Sequence, residues 1–183
     1  MELGSDFELD LAELSSKHDS VYQYLQEYNT IFLDSGRSAS RILNSVLKKG
    51  TILLPDYICE SVLQVYQNQF RMKYYHINRD FSIDIDDFLN KMDDSVTAVY
   101  LMHYFGMIQG KEVLAAIVSA KKRYAFTVIE DTTHSIFTKS QTIGDYCICS
   151  LRKWFPVTDG GVLYSDQKLK DICVQDIPVK DPS

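Results

Sequence analysis

No apolar run in this chain approaches the roughly 20 residues that a bilayer crossing requires. The opening stretch, MELGSDFELDLAEL, has no basic segment leading into an apolar one, so it does not read as a secretory signal. Basic charge is also short. Nineteen Lys and Arg stand against 25 Asp and Glu, a net charge of −6 with a pI near 5.1. Nucleic acid and anionic membranes both call for a basic surface, so neither is expected as a partner. Cysteine is scarce, with four in the chain and no CxxC pair, and no ligand spacing suggests zinc or another metal. Without a secretion signal, reduced buried thiols and a cytoplasmic setting are expected. There is no internal repeat, no low-complexity stretch, and no GxGxxG or GxxxxGKS/T loop of the common nucleotide-binding folds.

What is present is a chain of 183 residues, 45% hydrophobic, long enough for one domain with a real core. From residue 31 onward, short apolar runs alternate with helical patterns. IFLD (31–34), TILLP (51–55), MKYYHIN (72–78), AVYLMHYFG (98–106), FTVIED (126–131), DYCICSL (145–151) and GVLYS (161–165) read as strands. Residues 35–49, 57–70, 84–92 and 111–123 read as helices, the first closed by Gly50, the third opened by acids and the fourth ended by cations. Such alternation implies βαβ units and a mostly parallel sheet covered on both faces, a three-layer α/β/α architecture.

In sheets of this kind, ligands bind beyond the carboxyl ends of the strands. Three strand ends carry chemistry. Asp34-Ser35-Gly36-Arg37-Ser38 opens a helix, which reads either as an anion cradle of free N–H groups or as an ordinary N-cap. Asp131, followed by Thr132, Thr133 and His134, reads either as a cleft carboxylate or as another helix cap. Lys153, in SLRKWFPVTDGG (150–161), is either a solvated loop cation or an amine freed for nucleophilic work by desolvation. Ser150 ends the strand before it, and Gly160-Gly161 permit a tight turn after it. An anion cradle, a carboxylate and a lysine at one sheet end match what pyridoxal phosphate requires: N–H groups for the phosphate, an acid for the ring nitrogen, and an amine for the aldehyde.

The segments SGRSA (35–39), LLPDYICESV (53–62), VYLMHYFGMIQG (99–110), VIEDTTHSI (128–136) and GDYCICSLRKWFPVTDGGVL (144–163) resemble, in order and approximate spacing, the large domain of the DegT/DnrJ/EryC1/StrS family of sugar aminotransferases, which are fold-type I and dependent on pyridoxal phosphate. The resemblance covers roughly residues 30–165. It implies Lys153 as the lysine that bonds to the cofactor and Asp131 as the partner of its ring nitrogen. It sets His134 near the phenolic oxygen, and Gly36, Arg37 and Ser150 at the phosphate. Tyr57 or Cys59 falls where an aromatic stacks on the ring. Arg37 stands where a small Ser or Thr is usual. An amino-acid donor, glutamate or glutamine, a nucleotide-linked keto sugar as acceptor, and a homodimer are implied in the same way. Family members are longer and end in a small C-terminal domain. Residues 1–30 are therefore expected to be a helical or irregular lead-in, and residues 31–183 a truncated cofactor-binding large domain. Two other readings stay open: a non-catalytic remnant serving as a binding or dimerisation module, and an unrelated doubly wound domain that binds a phosphate at SGRSAS.

Overall fold

A computed structural model of the chain describes residues 20–138, 142–169 and 172. Seven strands form one sheet: β1 (Asn29–Leu33), β2 (Thr51–Pro55), β3 (Arg71–Tyr75), β4 (Val96–Met102), β5 (Thr127–Asp131), β6 (Tyr146–Ser150) and β7 (Gly161–Ser165). Their order across the sheet is β1-β7-β6-β5-β4-β2-β3. Only β7 runs against the rest, paired antiparallel to both β1 and β6. The remaining pairs are parallel. The carboxyl ends of six strands and the amino end of β7 therefore meet at one edge. A mostly parallel sheet flanked by helices is the expected architecture.

The pleat sends alternate residues to opposite faces. Ile52 and Leu54 of β2, Ala98 and Tyr100 of β4, and Ile129 of β5 pack with Ile42, Leu43, Val65 and Tyr66 from helices α2 (Gly36–Val46) and α3 (Glu60–Tyr66). Leu53, Val99, Leu101 and Val128 point the other way. They meet Phe88 of α4 (Ile85–Asn90) and Ile117 and Ala120 of α5 (Lys111–Tyr124). A third cluster joins Cys147, Cys149, Val162 and Tyr164 to Leu25 of α1 (Val21–Leu25). Both faces are covered, which is why these strands lack clean apolar–polar alternation.

Several boundaries differ from the sequence reading. The helix expected over 35–49 ends at Val46, capped by Leu47 in an extended conformation rather than by Gly50. Gly50 is instead pressed against Thr97, whose Cγ2 would lie 2.5 Å from an added Cβ. The helix expected over 57–70 spans only Glu60–Tyr66, so Tyr57 lies on the loop before it. The strand expected to run to Gly106 stops at Met102. A 3₁₀ turn, Tyr104–Gly106, follows, with Phe105 and Gly106 at positive φ (54° and 84°). The acids at the start of α4 and the cations at the end of α5 stand where expected. Cys147 and Cys149 are free and buried, as anticipated, whereas Cys59 is free but exposed. Cys173 lies outside the described residues.

Candidate active site

Three loops close on one another at the sheet edge. The Gly160 N–H donates to the Asp34 carbonyl at 2.7 Å, and the Leu151 N–H donates to the Gly160 carbonyl at 2.8 Å. A Cβ on Gly161 would lie 2.1 Å from the Ser35 backbone, and one on Gly36 would lie 3.1 Å from the Ser150 Cβ. The start of α2, the end of β6 and the start of β7 are thus packed backbone to backbone. Ser35 caps α2: its hydroxyl accepts from the Ser38 N–H at 3.2 Å. The cap is therefore present, and it leaves the Gly36 and Arg37 amides without intrahelical partners. The Arg37 side chain is exposed.

Asp131 ends β5 and is 7% exposed. Its Oδ2 accepts from the Tyr100 hydroxyl at 2.6 Å and its Oδ1 from the Thr133 N–H at 2.9 Å. The same Thr133 ties Asp131 to the lysine turn. Its hydroxyl accepts from the Ser150 N–H at 3.0 Å, and its carbonyl accepts from the Trp154 indole N–H. Thr132 is bound to the Ile148 carbonyl through both its amide (2.9 Å) and its hydroxyl (3.1 Å). The adjacent acid, Glu130, faces the opposite side of the sheet. It pairs with His103 Nε2 at 2.8 Å and accepts from the Ile143 and Gly144 amides at 2.7 Å each. Of the two acids that end this strand, only Asp131 shares the α2/α3 face.

His134 is half-buried. Its Nδ1 accepts from the Phe105 N–H at 3.3 Å, and the two rings stack with centroids 5.4 Å apart. An accepting Nδ1 assigns the ring proton to Nε2. Burial pulls the His134 pKa below its usual value; the Asp131 charge opposes this and the Lys153 charge adds to it. Lys153 closes a short 3₁₀ turn, Leu151–Lys153, and is exposed. The desolvation expected from its place at the strand end is therefore not found in this chain. It makes no ion pair or hydrogen bond among the described residues. Tyr57 is 55% exposed, with its ring against Tyr104 and Phe81 at 5.6 and 5.8 Å and its carbonyl accepting from the Tyr104 hydroxyl at 2.6 Å. Cys59 sits at the N-cap of α3, its thiol 3.1 Å from the Ser61 hydroxyl. An open hollow of about 360 Å³ beside Tyr57 is lined by Asp56, Ile77, Asn78, Arg79 and Phe81.

The comparisons with known proteins come from structure alone. No family model and no curated protein matches the chain. A histidinol-phosphate aminotransferase from Clostridium acetobutylicum superposes with a TM-score of 0.67 at 17% identity, over 86% of this chain and 52% of that one. A protein described as a sugar aminotransferase from Streptococcus pneumoniae, in its PMP form, gives 0.70 at 18%, over 81% and 43%. The fold is that of the aminotransferases. An aminotransferase from Streptoalloteichus hindustanus agrees, with a TM-score of 0.66 at 17% identity, over 80% of this chain and 43% of its own. This chain spans about half the length of the solved structures it matches, and at such identities the likeness establishes the fold and nothing finer. The sequence reading missed Tyr100, Thr133 and Trp154. Tyr100 lies two residues before Met102, the residue in register with Asp131, so it shares the Asp131 face, but that register is set only by the pairing of β4 with β5.

Proposed function

We propose that this chain is the pyridoxal-phosphate-binding part of an aminotransferase of the DegT/DnrJ/EryC1/StrS type, moving an amino group from glutamate or glutamine to the keto group of a nucleotide-linked sugar. The observation that carries the reading is the meeting, at one sheet edge, of a helix start with amides that lack intrahelical partners, a buried carboxylate and an exposed lysine. The residues suit the cofactor. Gly36, Arg37 and Ser150 would hold the phosphate, at a loop junction too tight for a side chain on Gly161. Asp131 would hold the proton of the ring nitrogen, and His134 the phenolic oxygen through its Nε2–H. Tyr57 would contact the ring from the loop after β2. When bound, pyridoxal phosphate supplies an aldehyde that exchanges nitrogen and a protonated ring that withdraws electrons.

Lys153 Nζ would hold the cofactor's aldehyde in the resting state and, once released by the amino donor, would serve as the base that carries the proton away from the donor's α-carbon. Asp131, anionic and held by two donors, favours the electron-withdrawing ring. A homodimer in the cytoplasm would complete the site. Residues 31–183 form the large domain in this reading, and residues 1–30 a lead-in to it. A second reading, a binding or dimerisation module without turnover, draws on the exposure of Lys153.

The test is direct. The purified chain is mixed with pyridoxal phosphate, its visible spectrum recorded, and the adduct reduced with borohydride and mapped. A band near ~420 nm and a label on Lys153 are expected from a lysine–aldehyde adduct, and Lys153→Ala should abolish both. A label elsewhere, or none, would sink the cofactor assignment. A labelled chain with no transamination of any keto sugar offered would favour the binding module.

A further inference from the structure

Tyr100 sits in the middle of β4 with no exposed surface, its ring edge-on to Tyr66 at 6.1 Å. Packing alone accounts for the ring, since a phenylalanine would fill the same volume. It does not account for the hydroxyl, which is buried and costs free energy unless it is bonded. Its partner is Asp131 Oδ2 at 2.6 Å, a length typical of a charge-assisted O–H···O⁻ bond. A carboxylate offers about four lone-pair positions. Tyr100 and the Thr133 amide take one on each oxygen, which fixes the rotation of the group and leaves one position free on each.

We propose that Tyr100 is a positioning residue for the cofactor's ring nitrogen, acting through the hydrogen bond that its hydroxyl donates to Asp131. The inference rests on the pyridoxal-phosphate reading above. Its logic is a competition for one proton between a pyridine nitrogen and a buried carboxylate. With the proton on nitrogen the pair is ionic; with the proton on oxygen it is neutral, and a low-dielectric site favours the neutral pair. A hydroxyl donated to the carboxylate stabilises its anion and makes oxygen the worse place for the proton. The proton then stays on the ring, where it is needed to withdraw electrons. Tyr100 remains a donor throughout: burial, reinforced by the neighbouring Asp131 charge, holds its phenol well above the usual tyrosine range.

The experiment compares the parent chain with Tyr100→Phe and Tyr66→Phe, each loaded with pyridoxal phosphate carrying ¹⁵N in the ring. Tyr66 is the control. It is equally buried and packs against Tyr100, but among the described residues its hydroxyl makes no hydrogen bond to Asp131. The ¹⁵N resonance reads ring protonation directly, and the visible band reads affinity. In the parent and in Tyr66→Phe the ring should be protonated. In Tyr100→Phe the resonance should move toward the unprotonated position, and the dissociation constant should rise. If the parent forms no band and no Lys153 adduct, the cofactor reading falls and this inference with it. If the parent is labelled normally but Tyr100→Phe keeps the parent's resonance and affinity, this inference alone is overturned. It is also overturned if the two variants shift alike, since that is a packing effect. Should Tyr100→Phe not fold, 3-fluorotyrosine placed at position 100 keeps the hydroxyl and makes it a stronger donor. Because it stabilises the unpaired carboxylate most, the pH at which the ring loses its proton should then fall, and a pH unchanged from the parent's refutes the role.

Discussion

Replacing Gly161 with alanine tests the central packing claim, that the start of β7 and the start of α2 are in backbone contact. The added methyl would lie 2.1 Å from both the carbonyl carbon and oxygen of Ser35 and 2.8 Å from the Gly36 nitrogen. All three are main-chain atoms, so no side chain can swing aside. Ser35 must move by more than an ångström to restore contact distance. Overpacking of this kind costs about 1–3 kcal/mol. Ser35 is also the cap of α2, and loss of a cap adds about 0.5–2 kcal/mol. The sum is about 1.5–5 kcal/mol, a large part of the about 5–15 kcal/mol that holds a domain together. In urea, at a slope of about 2 kcal/mol/M, the midpoint should fall by about 1–2.5 M. Gly110→Ala is the reference, because nothing lies within 4 Å of its added methyl; removing that glycine cap should cost at most about 1 kcal/mol. Equal midpoints for the two variants would show that β7 and α2 do not meet as described, and the proposed phosphate site would lose its support. If Gly161→Ala folds, its affinity for pyridoxal phosphate should drop as well.

Further outcomes follow from the same geometry. Protonating His134 costs more in the folded chain than in the unfolded one, so the stability given by its neutral ring is present above about pH 6.5 and is lost as pH falls through the lower folded value. Ring proton resonances of the cofactor-free chain should titrate below the ordinary histidine midpoint. Lys153→Met should move that midpoint up and Asp131→Asn should move it down; shifts of the opposite sign would contradict the site's electrostatics. Glu130→Ala strands the buried His103 and the Ile143 and Gly144 amides, and should lower unfolding free energy by about 3–5 kcal/mol. Denaturation that leaves it at parental stability would remove Glu130 from its structural role. Lys153→Ala, by contrast, alters an exposed side chain and should change stability by no more than about 0.5 kcal/mol while abolishing the borohydride label.

Much of this molecule was legible before any coordinates. Apolar runs such as TILLP and FTVIED, spaced by helical patterns, sufficed for a parallel sheet covered on both faces. Each strand's period of two is local, and burial on both sides removes its polar residues wherever it sits. The strand ends were equally readable. Asp131 ends its strand and Lys153 lies three residues past its own, and parallel strands carry both to the same edge. Period two also separates Asp131 from Glu130, though their adjacency in sequence concealed it.

Contacts across the chain were not legible. Tyr100 meets Asp131 from 31 residues away, because β4 and β5 are neighbours in register. Gly161 touches Ser35 because the strand order sets β7 beside β1, a pairing that no local pattern specifies. The solvent exposure of Lys153 likewise depends on how the loops around it pack. Local chemistry sets what each segment can form and which residues stand at its ends. Which of those residues touch, and which remain open to water, follows from strand order and loop packing, and these depend on free-energy differences summed over the whole chain.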